Sequence, residues 1–235
     1  MGPFLLLGAD VSTLQIQLNN NNLLTGDWTT GIQIALLMTL LMLAPSIVML
    51  TTCFTRIIIV LSFVRNALGL GTNPSNPILI GLAFFLSVFL MTPVGEKIYE
   101  TAIVPYNLKK INSQQAVNLG AQQLKRFMLS QTRAKDLEFF LNLSRLEKFP
   151  EKQEELSLSI VIPAFILSEL RTAFQMGFMI FLPFLLIDFL VASILMAMGM
   201  MMMPPAILAL PFKILLFVLV DGWSLIVKTL VRSFT

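Results

Sequence analysis

The sequence predicts an all-α integral membrane protein. Four hydrophobic segments form two helical hairpins, a polar region of amphipathic helices lies between them, and long kinked helices pack in an oligomer. Three observations carry this. Of 235 residues, 56% are hydrophobic and only 12% charged, with a mean hydropathy of +0.83, a balance that belongs to bilayer proteins. Long runs carry no charge at all, and the one polar stretch repeats its apolar residues at helical spacing.

The segment 1–27 lacks periodicity. Phe4 to Leu7 is too brief for a signal-peptide core, no basic residue precedes it, and the Asn19–Asn22 run reads as loop. Residues 28–95 form the first hairpin. Trp28 to Thr55 contains no Asp, Glu, Lys or Arg, which exceeds the roughly 20 residues a crossing needs. Trp28 stands where an interfacial aromatic anchor would, and Pro45 should kink this helix without ending it. Arg56 and Arg65 bracket a further apolar stretch past the membrane edge; Asn66 to Pro77 is a turn rich in Gly, Asn and Pro, and Ile78 to Val94 is the second crossing.

Residues 96–155 hold ten Lys/Arg and eight Asp/Glu. Val117, Ala121, Leu124 and Met128, then Leu137, Phe140, Leu141 and Ser144, mark two amphipathic helices divided near Thr132, whose apolar faces need cover from membrane or protein. Residues 156–235 form the second hairpin. A helix from Ser157 to Met198 would be about 60 Å long, twice the hydrocarbon thickness, unless Pro163 and Pro183 bend it. The charges Glu169, Arg171, Asp188, Lys213 and Asp221 each cost about 2.5–3.5 kcal/mol at a lipid-exposed helix centre, so burial in an oligomer is expected. The last helix is expected to run from Pro205 to about Val231.

The centre of this hairpin, 198–205, is a methionine tip. Gly199, four consecutive methionines (Met200, Met201, Met202, Met203) and the pair Pro204–Pro205 interrupt two apolar runs. Consecutive prolines remove backbone donors and push the preceding residue out of the helical region, so the helix should end just before them, with Gly199 loosening the other side. Asp188 and Lys213 each lie about twelve residues from the tip, roughly 18 Å along either arm. Opposite charges at one depth in antiparallel helices can pair with each other; the competing arrangement gives each a partner on another subunit.

Histidine is absent and Cys53 is the single cysteine. The usual general base, the His-based nucleophilic arrangements, disulfides and zinc clusters are thereby removed. No phosphate-binding glycine motif is present. Neither an enzyme nor a cofactor or metal site is expected, and a net charge of +3 is too small to suggest nucleic acid. Arg56 and Arg65 place the first loop inside the cell and the polar region outside. The polar region's ten basic residues argue the reverse, if a loop of that length counts.

Three segments carry a family signature: FTRIIIVLSFVRNALG (Phe54 to Gly69); PAFILSELRTAFQMGF (Pro163 to Phe178) continuing as FLPFLLIDFLVASILMAMGMMMMPP; and LPFKILLFVLVDGW (Leu210 to Trp223). From Trp28 onward the chain resembles the FliP/SctR family of type III secretion export gate proteins. The resemblance implies a subunit that self-associates in several copies and joins FliQ and FliR in a closed channel of the flagellar basal body. It implies unfolded flagellar subunits as cargo, FlhA and FlhB as helpers, FliO in assembly, an inner-membrane location in contact with membrane lipid, and a periplasmic polar region. It further implies that Met200 to Met203, with Met198, form a pore constriction. An unbranched thioether suits that place because it adapts to what it touches, and an apolar ring excludes water and ions. Asp188, Lys213, Glu169 and Arg171 are then structural or gating charges, the last two at subunit contacts. The injectisome branch of the family is the alternative. Rivals outside the family are a Cu(I) transporter using the six methionines from Met196 to Met203, a proton-coupled carrier using Asp188, and a scaffold without a pore.

Overall fold

The computed structural model describes residues 28–144, 155–200 and 203–234, and among them every regular element is a helix. The expectations for segment 1–27, for the end of the polar region and for Met201 and Met202 lie outside the described residues, as does the Trp28 side chain. Three helical stretches are long and apolar enough to cross a membrane: Gly31–Leu50, Asn76–Asn107 and Leu158–Ala197. A bent pair, Pro205–Leu219 with Gly222–Arg232, is apolar enough to make a fourth if its two helices form one span.

Helix α1 (Trp28–Leu50) runs through Pro45. In the unit ending at Ala44 the helix is predominantly apolar and exposed from Gly31 onward, the surface expected of a lipid-facing helix. The second unit, from Pro45, contains everything else. The expected continuation of the first helix past Arg56 is interrupted at Thr51–Cys53. Thr51 Oγ1 donates to the Ile47 and Val48 carbonyls at 3.0 and 3.1 Å, and Thr52 Oγ1 to the Met49 carbonyl at 3.0 Å. The same carbonyls also accept the Thr51 and Thr52 amides, so the hydroxyls add a second bond to each at the end of the helix.

Helix α2 (Phe54–Leu68) is the centre of the core. Ile57, Val60, Leu61, Val64, Ala67 and Leu68 are all buried on one stripe. Helix α3 (Asn76–Ile98) returns antiparallel to α2 and continues through a π-helical turn (Tyr99–Ile103) into the short α4 (Val104–Asn107). Helix α5 (Ser113–Gln131) starts with a capping box, Asn112 Oδ1 accepting from the Gln115 amide at 2.8 Å and Gln115 Oε1 from the Asn112 amide at 3.1 Å. Helix α6 (Ala134–Leu143) follows after Thr132, where the sequence placed the division. Met128, Leu137 and partly buried Leu124, Phe140 and Leu141 pack on Val161, Ala164 and Phe165, so protein covers these faces. Val117, read as part of that face, is instead exposed.

Helix α7 (Leu158–Ala197) spans 40 residues through Pro163 and Pro183. Its first half holds the polar helices. Its middle lies along α2, where Phe63 meets Phe174 edge-on at 5.4 Å. Helices α8 (Pro205–Leu219) and α9 (Gly222–Arg232) are turned 63° apart, which corrects the expected single last helix. Asp221 sits between them at φ 50°. The Phe217 ring covers Gly222 so closely that a Cβ there would stand 2.3 Å from it.

Candidate functional site

The tip is shaped by glycine before proline contributes. The Met200 amide donates to the Leu195 carbonyl and the Gly199 amide to the Met196 carbonyl, both at 3.0 Å, with Gly199 at φ 76°. This is a Schellman ending, which needs a residue that enters the left-handed region without strain. The helix therefore stops at Ala197, well before the prolines, which corrects the expectation that Pro204 and Pro205 end it. They begin the next one instead: Pro204 is the extended N-cap and Pro205 the first residue of α8, where a missing N–H costs nothing. Met198, Met200 and Met203 are 68%, 38% and 41% exposed.

Below the tip, Lys213 Nζ lies 2.6 Å from Asp188 Oδ2 and also donates to the Ala67 carbonyl at 3.2 Å. The two arms are thus paired within one chain, with Lys213 buried and Asp188 half-buried. The ammonium also ties α8 to the end of α2.

Glu169 and Arg171, expected at subunit contacts, have partners inside the chain. Glu169 is fully buried and forms a two-point ion pair with Arg56, whose Nε stands 2.9 Å from Oε2 and whose Nη2 meets Oε1. Arg56 further donates to the Ser233 carbonyl at 2.8 Å, the Ser233 hydroxyl at 3.0 Å and Gln131 Oε1 at 3.4 Å, and its Cζ lies 3.8 Å from the Phe234 ring centre. One guanidinium thus gathers α2, α5, α7 and the residues after α9. Arg171 Nη1 stands 3.1 Å from Asp136 Oδ1 in the first turn of α6. Beside it the buried Ser168 hydroxyl accepts from the Arg133 amide at 3.0 Å, fastening the α5–α6 corner to α7.

Reading Arg56 as a membrane-edge charge missed this hub. The signal was available: Arg56 precedes Val60 by four residues and Ala67 by eleven, which puts it on the α2 stripe that faces the core.

Such a chain is a multi-pass helical membrane protein with a buried Arg56–Glu169 pair at its centre, whose longest hairpin ends in exposed methionine. A sequence model described as the FliP family matches residues 37–230. The Flagellar biosynthetic protein FliP of Bacillus subtilis is 52% identical over 206 residues, covering 88% of this chain and 93% of that protein. That of Aquifex aeolicus is 43% identical over 210 residues, 89% and 88% of the two chains. That of Buchnera aphidicola is 49% identical over 207 residues, 88% of this chain but 54% of the longer relative. The chain belongs to the FliP family.

Proposed function

We propose that this chain is a core subunit of the flagellar type III protein export gate. Several copies assemble with FliQ and FliR around a shared axis, with FlhA, FlhB and FliO as further partners and unfolded flagellar subunits as cargo. The complex sits in the bacterial inner membrane at the flagellar basal body, with the polar helices on the periplasmic side. Met198 and Met200 to Met203 form the constriction, Gly199, Pro204 and Pro205 shape the tip that presents them, and Asp188 with Lys213 holds the two arms together. The relatives' names favour the flagellar over the injectisome branch.

The observation that carries this reading is the α7–α8 hairpin: two apolar arms joined by the Lys213–Asp188 ion pair end in a tight turn whose described methionine side chains reach outward. Side chains with three rotatable bonds conform to a passing chain and close behind it, and an apolar ring resists wetting. The test replaces Met200 to Met203 with alanine in the assembled complex and measures ion conductance across a bilayer. A raised resting conductance supports the constriction; conductance equal to the parent complex refutes it.

A further inference from the structure

Among the described residues, Asp221 is the acidic residue of the last two spans that has no counter-charge. It is exposed, and its side chain caps no amide of α9. Its surroundings are apolar: Val218, Leu219, Val220 and Leu225 are each more than half exposed, and Trp223 also reaches the surface. Beside it the 63° turn between α8 and α9 opens a cavity of about 840 Å³ against α7, lined by Met179, Pro183, Phe184, Phe217, Val220 and Leu225. Val220 and Gly222 both line this space, so Asp221 stands at its edge.

A carboxylate set in exposed apolar surface calls for a cation that arrives on an apolar support. One carboxylate is too few for a metal ion, and no group of His, Cys, Asp or Glu placed to hold one occurs among the described residues. A second copy does not bring the cation either. Copies turned about an axis along the spans keep each residue at its own height. Lys213 lies about 12 Å nearer the tip and is buried in its own pair, as Arg56 is in the other. Residues 57–64, 76–94, 172–187 and 189–212 contain no Lys or Arg. The exposed Lys228 is about 10 Å further along α9.

We propose that the elbow of α8 and α9 seats an apolar membrane helix of a different protein. Its apolar side chains enter the cavity, and its lysine or arginine pairs with Asp221. This requires only that α8 and α9 together form one span, and it is independent of the methionine constriction.

The probe is a synthetic leucine–alanine helix of about 20 residues, long enough to cross a bilayer. It carries lysine, leucine or glutamate at its centre and a dansyl group beside that position. The full chain carries Trp28→Phe, so that Trp223, two residues from Asp221, is its remaining tryptophan. Energy transfer from Trp223 in phosphatidylcholine bilayers reports binding. The parent chain should bind the lysine helix about tenfold more tightly than the leucine helix, within the range of polar contacts between membrane helices. The glutamate helix should bind no more tightly than the leucine helix. Asp221→Asn keeps a residue tolerant of φ 50°; it should abolish the lysine preference and leave binding of the leucine helix unchanged. Val220→Phe with Leu225→Phe narrows the cavity and should weaken both helices alike, while Lys228→Gln should change neither. Equal binding of the lysine and leucine helices to the parent, a lysine preference that survives in Asp221→Asn, or unchanged binding with the cavity narrowed overturns the proposal. So does loss of higher oligomers in both Asp221→Asn and Lys228→Gln, counted by native mass spectrometry, which would make a second copy the occupant.

Discussion

Replacing Arg56 with alanine strands Glu169, and the structure says the two halves of that pair are not equivalent. Glu169 is fully buried on α7, and its side-chain bonds go to Arg56. Arg56 keeps the Ser233 carbonyl and hydroxyl, Gln131 and the Phe234 ring when Glu169 is removed. Leaving a buried charge without its partner costs about 3–5 kcal/mol, so Arg56→Ala should fall in that range and also free the end of the chain. Glu169→Ala should cost about 1.5–3 kcal/mol, the loss of charged hydrogen bonds from a cation that retains other acceptors. The double change Arg56→Met with Glu169→Leu removes both charges at similar volume. It should regain all but about 1–2 kcal/mol, because buried pairs replaced by apolar residues cost little while broken ones cost much. Reversible unfolding in mixed micelles, followed by tryptophan fluorescence, gives the three differences. Glu169→Ala as damaging as Arg56→Ala, or a double variant no better than Arg56→Ala, would refute this account of the hub.

Three further outcomes follow from local geometry. Asp188→Ala leaves the Lys213 ammonium with the Ala67 carbonyl alone and should cost about 3–5 kcal/mol; exchanging the two charges should recover only part of it, since a carboxylate at 213 faces that carbonyl, and no recovery at all would exclude direct pairing. Gly199→Ala meets no atom within 4 Å, yet its φ of 76° should make it cost about 1–2 kcal/mol, with Gly199→Asn milder; equal stability of all three in the same unfolding assay would count against the left-handed ending. Gly177→Ala would set a Cβ 2.5 Å from the Phe63 ring and 3.0 Å from its Cβ. That overpacking, about 1–3 kcal/mol, outweighs a helix-propensity gain of about 1 kcal/mol, and Phe63→Leu should suppress the defect.

The crossings, the polar helices and the tip were legible because their signals are local. A charge-free run, a 3.6-residue stripe and a Gly–Met–Pro sequence each act within a few turns of chain. The breaks were less legible. α1 ends at Thr51 and Thr52, whose hydroxyls donate to the preceding carbonyls, a local preference that hydropathy does not register. The bend at Asp221 depends on Phe217 folding over Gly222, a contact that needs the turn already made. At the tip the sequence points to both residue types but with their roles exchanged: proline reads as the stop, whereas Gly199 stops the helix first. The ion pairs divide the same way. Asp188 and Lys213 are related by the symmetry of one hairpin, so counting residues from its tip brings them together. Arg56 and Glu169 are 113 positions apart, and only the tertiary arrangement of α2 along α7 joins them.

These pairings also change why an assembly is called for. By sequence alone, five charges in the last two segments call for shelter by neighbouring subunits. In the structure four of the five, Glu169, Arg171, Asp188 and Lys213, find their counter-charges within the chain, and Asp221 stays exposed at the α8–α9 bend, so most of the insertion cost no longer demands an oligomer. The stronger call for assembly comes from the tip. A single hairpin presenting a few methionines closes nothing, and thioethers exposed to water gain no burial there. In the proposed gate, the same side chains become useful when several tips meet at one axis and bury one another, with no intersubunit charge spent to hold the arms in place. Assembly through apolar faces and methionine, in place of salt bridges between subunits, should then be insensitive to ionic strength. Copy number measured by native mass spectrometry after purification at about 0.05 and 1 M salt, where the screening length falls from over 10 Å to about 3 Å, should be the same. Dissociation at the higher salt would return the subunit contacts to the charged residues.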